Sequence, residues 1–308
     1  MKMAFVFPGQ GSQHIGMGKD LYDKFEGVKE IYKEASEALG YDVAELSFNG
    51  PIEELNRTVR TQPALLTVSF AIFKELIWNG LRPDCLAGHS LGEYSAVAAA
   101  GVMSFGDAVR LTEKRGGFMQ DAVPEGKGLM AAVIGLEREA LKEVCERVGS
   151  GYVAPANYNC PGQIVIAGEK AAVEEAAKLA SEAGAKRAMI LAVSVPSHCM
   201  LMEPASNRLF EELKGIDMQD AKIPIVNNAD ARIIRDAAAV KDSLVRQLNS
   251  PLLWEDSIKL MAENGVDTII EVGPKKVLSG LIKRIVPDMK IFNVEDSQSL
   301  NATLSFLL

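Results

Sequence analysis

The residues with the clearest chemical potential form the segment Gly88-His89-Ser90-Leu91-Gly92, in which two glycines flank a serine. This G-x-S-x-G spacing is typical of a nucleophile elbow, a sharp strand-to-helix turn that exposes the serine hydroxyl. A serine at a helix start is more often an N-cap, so the setting decides between the two roles. Here a short buried strand over residues 85–88 precedes Ser90, and an Ala-rich helical stretch over residues 94–100 follows it. This setting favours a nucleophile, with the amide of Leu91 placed to stabilise an oxyanion.

A serine hydroxyl needs a general base, and the chain contains three histidines, His14, His89 and His198. His89 precedes the serine on the elbow, so its side chain is expected to point away and to pack or hydrogen-bond elsewhere. His14 lies in the glycine-rich first loop, where it remains an alternative base, although a solvated loop histidine is equally consistent. His198 follows Pro196 at the junction between two groups of elements. Because clefts form at such junctions, we favour His198 as the base.

The strand and helix around Ser90 belong to a first group of elements in which buried strands alternate with helices. This group consists of a strand over 4–7, a glycine-rich loop over 8–13, a helix from about Lys19, a buried helix over 62–80, the elements around Ser90 and, from Leu201 onward, helices with two buried strands over 223–226 and 268–272. The two late strands are expected to join the first sheet.

Residues 127–196 have a different pattern, in which short β-like runs alternate with two amphipathic helices. The predicted elements are a strand over 129–134, a helix over 137–148, strands over 152–158 and 163–167, a helix over 170–184 and a strand over 188–193. This β-α-β-β-α-β order is ferredoxin-like and fits an inserted subdomain. We therefore predict an α/β fold with a core of residues 1–126 and 197–308, a subdomain of residues 127–196 and a cleft between them.

Composition limits the possible partners and compartments. The chain has 308 residues, of which 48% are hydrophobic and 24% charged, the balance of a soluble globular protein. Its net charge of −8 disfavours nucleic acid and anionic membranes as main partners, because those surfaces are bound through an excess of Lys and Arg. The four cysteines show no C-x-x-C pairing, so we expect neither a disulfide framework nor a metal site. The apolar start ends at Pro8, too early for a signal segment or a membrane span, which predicts a cytoplasmic location.

Further motifs accompany the serine segment along nearly the whole chain. They are Phe7-Pro8-Gly9-Gln10-Gly11-Ser12-Gln13, Thr61-Gln62-Pro63-Ala64, the extension of the serine segment to Glu93, Arg115-Gly116, residues 159–162, Pro196-Ser197-His198, Leu244-Val245-Arg246-Gln247-Leu248 and Glu271-Val272-Gly273-Pro274. In these motifs and their order, the chain resembles the malonyl-CoA:acyl carrier protein transacylases and the acyltransferase domains of fatty-acid and polyketide synthases.

The resemblance implies that Ser90 is acylated, that His198 is its base and that the backbone amides of Gln10 and Leu91 form the oxyanion hole. It also implies that the backbone carbonyl of Gln247, rather than an aspartate, orients the histidine. The implied fold is a hydrolase-like core with a mostly parallel sheet and a ferredoxin-like insertion. The implied reaction moves malonyl from malonyl-CoA to the phosphopantetheine thiol of acyl carrier protein. The coenzyme A thioester is then a substrate, and no cofactor is bound permanently.

Arg115 is the residue that the resemblance assigns to the free carboxylate of the malonyl group. By base rate alone, an arginine on a helix is more often a surface residue in a salt bridge. A malonyl thioester, however, has a carboxylate next to its reactive carbonyl. A planar guanidinium binds such a group through two parallel, charge-assisted hydrogen bonds, which lysine cannot reproduce. We therefore expect Arg115 to select malonyl over acetyl groups.

Two sets of residues are candidates for contacts with the carrier. Asn157, Asn159 and Gln163 are amide side chains around a Pro/Gly turn, where they either line a tunnel for the phosphopantetheine arm or serve the turn itself. An acidic carrier protein also needs a basic docking face on this acidic chain. The candidate cations, which an ordinary solvated surface would explain equally well, are Lys186, Arg187, Lys275, Lys276, Lys283 and Arg284.

Three functions remain to be separated. The favoured one is a monomeric, cytoplasmic malonyl transferase that supplies fatty-acid synthesis. A serine esterase or thioesterase on the same scaffold is disfavoured by Arg115 and by the lack of an obvious aspartate partner for His198. A non-catalytic carrier-binding module is disfavoured because a nucleophile, a base and an anion-binding arginine are all present.

Overall fold

The computed structural model describes residues 1–191, 193 and 195–308, and the strands in this part of the chain form two sheets. In chain order, the strands are β1 (Met3–Phe7), β2 (Cys85–Gly88), β3 (Gly128–Ile134), β4 (Val153–Cys160), β5 (Gln163–Glu169), β6 (Arg187–Ile190), β7 (Ile225–Val226), β8 (Ile233–Ile234), β9 (Thr268–Val272) and β10 (Lys290–Val294).

The helices that cover these sheets are mostly amphipathic, with α5 and α6 almost entirely buried. They are α1 (Lys19–Lys24), α2 (Glu26–Leu39), α3 (Val43–Asn49), α4 (Ile52–Leu55), α5 (Thr58–Trp78), α6 (Leu91–Ala99), α7 (Phe105–Ala122), α8 (Arg138–Glu146), α9 (Lys170–Glu182), α10 (Glu203–Leu213), α11 (Ala237–Gln247), α12 (Trp254–Glu263), α13 (Val277–Ile285) and α14 (Ser297–Leu307), with a 3-10 turn at Met200–Met202.

The larger sheet has the strand order β10-β9-β1-β2-β7-β8, and every neighbouring pair is parallel except β7 and β8. The residues of β1, β2 and β9 are all buried, which accounts for their continuous apolar runs. In the register of β1 and β2, Phe7 lies opposite Gly88. The loop after β1 and the turn after β2 therefore leave the sheet side by side, which brings the glycine-rich first loop next to Ser90.

The smaller sheet is antiparallel and has the strand order β4-β5-β3-β6. Helices α8 and α9 cover one face, where their apolar residues pack on alternating side chains of the strands. The predicted β-α-β-β-α-β pattern is therefore confirmed, as is the mixed α/β fold with a mostly parallel first sheet. Each helix connects two strands that run in the same direction, and the strand that lies between them in the sheet is antiparallel to both.

Backbone hydrogen bonds tie the smaller sheet to the segment between α11 and α12. The amide of Leu252, in that segment, donates to the carbonyl of Ala156 at 2.8 Å, and the amide of Tyr158 donates to the carbonyl of Leu252 at 2.9 Å. Ala156 and Tyr158 lie on β4. This pairing fixes the position of β4 relative to the segment that precedes α12.

Helix α5 is the longest helix of the described residues, at 21 residues, and it supports the central strands. The ring centroid of its Phe73 lies 6.3 Å from that of Phe5 and 6.2 Å from that of Phe7. We predicted that this helix begins at residue 62, but it begins at Thr58. The prediction rested on the apolar spacing that starts at Leu65, whereas the first turn of the helix, residues 58–61, is mostly polar. Within the described ranges, no helix is both long and apolar enough to cross a lipid bilayer.

Other boundaries differ by a few residues from those that the sequence predicts. Helix α6 begins at Leu91 rather than at residue 94, directly after the nucleophile candidate. Strand β7 is two residues long, because Pro224, which has no amide hydrogen to donate, precedes it. Strand β6 ends at Ile190, whereas the predicted strand extended to residue 193; residue 192 of that prediction lies outside the described residues.

Candidate active site

Ser90 occupies a strained turn between β2 and α6. Its φ and ψ angles are 53° and −107°, a conformation that side-chain-bearing residues rarely adopt. A Cβ atom on Gly88 would lie 1.9 Å from the backbone carbon of Gly92, and one on Gly92 would lie 2.0 Å from the carbonyl oxygen of Phe7. Both glycines are therefore required for close backbone approach, which is the physical basis of the G-x-S-x-G pattern here.

Asn228, which follows β7, holds this turn from the other side. Its Oδ1 accepts a hydrogen bond from the Ser90 amide at 2.8 Å, and its Nδ2 donates to the carbonyl of Gly88 at 2.7 Å. The side chain is fully buried, so both hydrogen bonds form away from water. Together they offset the strain of the Ser90 backbone.

His198 lies within hydrogen-bond distance of the serine. Its Nε2 is 2.8 Å from Ser90 Oγ, and its Nδ1 is 2.7 Å from the backbone carbonyl oxygen of Gln247. Gln247 is the last residue of α11, where a carbonyl has no partner within its own helix. The C-terminal end of a helix carries a partial negative charge, which stabilises a positively charged imidazole. This helix end occupies the place that an aspartate has in a Ser-His-Asp triad.

The surroundings of His198 disfavour its charged form in the resting protein. Burial and then the positive charge of Arg115 lower the pKa of His198 to about 3, and the hydrogen bond with the Gln247 carbonyl opposes this only in part. The imidazole is therefore neutral at physiological pH and can accept the proton of the Ser90 hydroxyl.

We expect the rate at which a fluorophosphonate reagent modifies Ser90 to stay nearly constant as pH falls from about 8 to about 5. The reason is that the folded-state pKa of His198, about 3, lies far below the ordinary value of 6.5, so the base stays neutral over this range. In the unfolded chain, His198 would bind a proton near its ordinary pKa of 6.5. This residue is therefore expected to lower the stability of the folded protein as the pH falls below that value. Labelling followed by intact-protein mass measures the rate, and a decline centred near pH 6.5 would show a solvated imidazole instead.

Arg115 projects from α7 into the same site and is 1% exposed. Its Nη1 donates to Gln62 Oε1 at 2.8 Å, and its Nη2 donates to Gln247 Oε1 at 3.0 Å and to Ser90 Oγ at 3.3 Å. The ring centroid of Tyr94 lies 5.0 Å from the guanidinium carbon. Its side-chain partners among the described residues are neutral, and burial lowers the pKa of Arg115. A buried cation whose direct hydrogen-bond partners are all neutral can bind an anionic group.

A cleft of about 200 Å³ opens above these side chains, between the two sheets. One wall is polar and contains the site residues, and the other consists largely of methionine, valine and leucine side chains. The lining residues are Gln10, Thr58, His89, Ser90, Leu91, Arg115, Met119, Met130, Asn157, Asn159, Val165, Leu191, Val193, Val195, Ser197 and His198.

Several predicted residues meet in this cleft, although not all from the expected elements. Gln10 and Leu91, the oxyanion candidates, both line it. Asn157 and Asn159 also line it, but they lie on β4 rather than in a turn. Asn159 Oδ1 is 2.8 Å from His89 Nε2, so His89 hydrogen-bonds across the cleft, as expected of a histidine that points away from the serine.

Other candidates lie elsewhere. His14 is not among the cleft residues, and its Nδ1 is 3.4 Å from the carbonyl oxygen of Ser12. Gln163 does not line the cleft either. Its Oε1 accepts from Arg284 at 2.6 Å, because the hairpin between β4 and β5 turns outward towards α13. Lys186 and Arg187 are exposed at the opposite end of β6 from the cleft.

The remaining basic candidates surround the start and end of α13. Lys275 precedes the helix, and its Nζ donates to the carbonyl of Gly11 at 3.0 Å. Lys276 and Lys283 are exposed, and Lys283 donates to the carbonyl of Pro287. Since Gly11 adjoins Gln10, which lines the cleft, Lys275 lies near the mouth of the cleft.

Sequence reasoning missed the supporting polar residues Gln62, Asn228 and the side chain of Gln247. Each is buried and contacts a site residue more than 50 positions away in the chain. The available signal was an isolated polar residue in an apolar context, such as Gln62 in a buried helix. That signal indicates a buried hydrogen bond but not its partner.

Comparison with known proteins agrees with this geometry. The family described as acyl transferase domain matches residues 4–298. A malonyl CoA-acyl carrier protein transacylase of Haemophilus influenzae is 51% identical over all of this chain and 99% of its own length. The crystal structure of an acyl carrier protein S-malonyltransferase from Vibrio cholerae is 50% identical with a TM-score of 0.96, over 98% of this chain and all of that one.

A further solved structure is a type II PKS acyl-carrier protein in complex with its malonyl-transacylase. The matching chain is 49% identical with a TM-score of 0.97, and the match covers 99% of this chain and all of that one. The similarity in sequence and in fold thus extends over both sheets and the cleft between them. The chain belongs to the acyl transferase family and, within it, to the malonyl CoA-acyl carrier protein transacylases.

Proposed function

We propose that this chain transfers a malonyl group from malonyl-CoA to the phosphopantetheine thiol of acyl carrier protein through a malonyl-serine intermediate. One observation carries the proposal most directly: Nη2 of the buried Arg115 lies 3.3 Å from Ser90 Oγ, which is itself 2.8 Å from His198 Nε2. A nucleophile, a neutral base and a cation within contact distance suit an acyl group that carries a carboxylate.

In the first half-reaction, Ser90 Oγ attacks the thioester carbonyl while its proton passes to His198 Nε2. The amides of Leu91 and Gln10 hold the developing oxyanion. The tetrahedral intermediate then expels the coenzyme A thiolate, which takes the proton back from Nε2. In the second half-reaction, the carrier thiol gives its proton to His198 and attacks the malonyl ester, and Ser90 leaves as the alcohol. This sequence predicts ping-pong kinetics.

Arg115 binds the free carboxylate in both half-reactions. Two of its nitrogens are already held by the amide oxygens of Gln62 and Gln247, which fix the plane of the guanidinium. A carboxylate one carbon from the reacting carbonyl can then accept hydrogen bonds from N–H groups on the edge of the guanidinium beside Ser90. The apolar wall of the cleft restricts water, which favours transfer to a thiol over hydrolysis. Asn157 and Asn159, on the opposite side, are placed to hydrogen-bond to the amides of the pantetheine arm.

The decisive experiment follows radiolabelled malonyl-CoA with and without holo acyl carrier protein. We expect label first on Ser90 and then on the carrier thiol, with little free malonate. Label that accumulates mainly as malonate identifies a hydrolase instead. Absence of label on the enzyme identifies a binding module.

We also propose that residues 127–196 form an inserted subdomain on a core of residues 1–126 and 197–308, and that the chain acts as a cytoplasmic monomer in fatty-acid synthesis. The four buried, unpaired cysteines support a reducing compartment. Gel filtration with light scattering tests the oligomeric state.

The docking face for the acidic carrier is proposed to be the basic surface of Lys275, Lys276, Lys283 and Arg284. We expect Lys276→Glu combined with Lys283→Glu to raise the KM for carrier protein about tenfold at low salt, because both charges are exposed to an approaching acidic partner. The rate of Ser90 acylation by malonyl-CoA should change less than about twofold.

The comparison variant is Lys186→Glu with Arg187→Glu, which makes the same charge change away from the cleft. If this second pair raises the KM for carrier more than the first pair does, the docking face lies on β6. Arg284 is left unchanged in both variants, because it also holds Gln163 and the carbonyl of Pro161.

A further inference from the structure

Glu93 is a buried carboxylate for which the proposed reaction gives no role. It is the third residue of α6 and is 0% exposed. Its oxygens accept hydrogen bonds from Gln247 Nε2 at 2.7 Å, from the Asn228 amide at 3.1 Å and from Ser243 Oγ at 3.3 Å. Burial raises the pKa of Glu93 to about 7, whereas these hydrogen bonds and the charge of Arg115 favour the ionised form. Burying a carboxylate at such a position costs free energy unless hydrogen bonds and a nearby positive charge compensate it.

The side-chain amide of Gln247 connects this carboxylate to Arg115. Nε2 of Gln247 donates to Glu93 at 2.7 Å and to the backbone carbonyl of Ser90 at 2.9 Å, and Oε1 accepts from Arg115 at 3.0 Å. An amide that flipped would place its oxygen against two acceptors and its NH₂ group against the guanidinium. The carboxylate of Glu93 therefore fixes the amide in the one orientation that holds Arg115.

Glu93 also reaches the elbow by a second route. It accepts from the amide of Asn228, whose side chain holds both the Gly88 carbonyl and the Ser90 amide. The two routes meet at Ser90, one through its carbonyl and one through its amide. A single buried carboxylate thus restrains the backbone that presents the nucleophile.

We propose that Glu93 is a positioning residue, which fixes the side-chain amide of Gln247 and thereby sets both the orientation of Arg115 and the backbone of Ser90. The part that concerns malonyl selection rests on the proposed function. The part that concerns the nucleophile does not, because any serine-directed reagent reports it.

The test replaces Glu93 by glutamine, which keeps the shape but removes the negative charge and replaces one of the two acceptor oxygens by an NH₂ group. We expect fluorophosphonate labelling of Ser90 to slow about tenfold and malonyl transfer to fall about a hundredfold, as small displacements of reacting groups produce. Acetyl transfer should fall only about tenfold, so that the malonyl-to-acetyl ratio drops. Glu93→Asp keeps the charge but moves it away from Gln247. This variant is expected to fold and to have a lower malonyl-to-acetyl ratio than the wild type.

Glu271→Gln is the matched control. Glu271 is also fully buried and also accepts three hydrogen bonds, from the amides of Leu278 and Ser279 and from Ser279 Oγ, but it lies outside the cleft. We expect this variant to lose thermal stability like Glu93→Gln while labelling and the acyl ratio stay at the wild-type level. If both variants slow labelling equally, the role of Glu93 is one of stability alone and the proposal is wrong.

A double-mutant cycle tests the route through Gln247. Gln247→Ala keeps the backbone carbonyl that contacts His198 but removes the amide. We expect the malonyl-to-acetyl ratio of the Glu93→Gln, Gln247→Ala double variant to equal that of Gln247→Ala, because one interaction cannot be lost twice. Independent losses that multiply would overturn the route. If the wild type does not transfer malonyl, the proposed function fails, and labelling still decides whether Glu93 positions Ser90.

Discussion

Replacing Ser90 with alanine is expected to lower malonyl transfer by roughly 10⁴-fold or more, the scale on which loss of a serine nucleophile acts. Without Oγ no malonyl ester forms, and neither His198 nor Arg115 offers an equivalent nucleophile. Because Arg115 keeps its partners Gln62 and Gln247, affinity for malonyl-CoA should change only a few-fold. Single-turnover transfer and equilibrium binding of malonyl-CoA, measured on the same preparation, separate the two effects.

The control for this variant is Ser197→Ala. Ser197 lines the same cleft, but its hydroxyl is directed to the carbonyl of Val195 rather than to a histidine. It should retain transfer within a few-fold of the wild type. Radiolabel that still became attached to the Ser90→Ala protein would place the acyl group on another residue and contradict the assignment.

Arg115→Ala is expected to produce the second largest effect, and a selective one. Removing one partner of a buried charged pair costs about 2–5 kcal/mol, so malonyl transfer should fall on the order of a hundredfold or more. Acetyl transfer, which has no carboxylate to lose, should fall less than about tenfold. Kinetics with malonyl-CoA and acetyl-CoA give the ratio directly.

Arg60→Ala is the control for Arg115→Ala, because it also removes a single arginine. Arg60 lies two residues before Gln62 on α5, but it pairs with Glu54 and Glu113 outside the cleft. It should leave the malonyl-to-acetyl ratio unchanged. Equal losses of both activities in Arg115→Ala would mean that Arg115 supports the fold of the site rather than reading the carboxylate. The same variant should raise the pKa of His198 towards its ordinary value, because the positive charge of Arg115, one of the causes that lower it, has been removed while burial remains.

Much of the fold follows from local patterns in the sequence. The buried strands β1, β2 and β9 are continuous apolar runs, and the β3–β6 region alternates strands with amphipathic helices. The edge strands β8 and β10 were missed, because β8 has two residues and β10 is partly exposed, so neither has a clear apolar period. Edge strands depend on pairing with a neighbour more than on their own composition.

The residues of the site also differ in whether local sequence patterns predict them. Ser90 was found from its flanking glycines and His198 from the small number of histidines, and the structure brings both together with Arg115. Asn228 and Glu93 were given no role, because their hydrogen bonds to the elbow join elements 135 or more positions apart. Such contacts depend on the order of strands in the sheet, in which β7 lies beside β2. No spacing within the chain encodes that adjacency.

The paired main chain between Leu252 and β4 has a consequence for how substrates enter. Because the hydrogen bonds of Leu252 to Ala156 and Tyr158 tie β4 to the segment before α12, these two segments cannot separate without breaking backbone hydrogen bonds. We therefore expect the width of the cleft to stay nearly constant when a substrate enters. Entry of a slender pantetheine arm needs no opening step, so association is expected to be limited by diffusion and charge rather than by a gate. We then expect substitutions of side chains at the rim of the cleft, rather than of hinge residues, to change which acyl groups can enter.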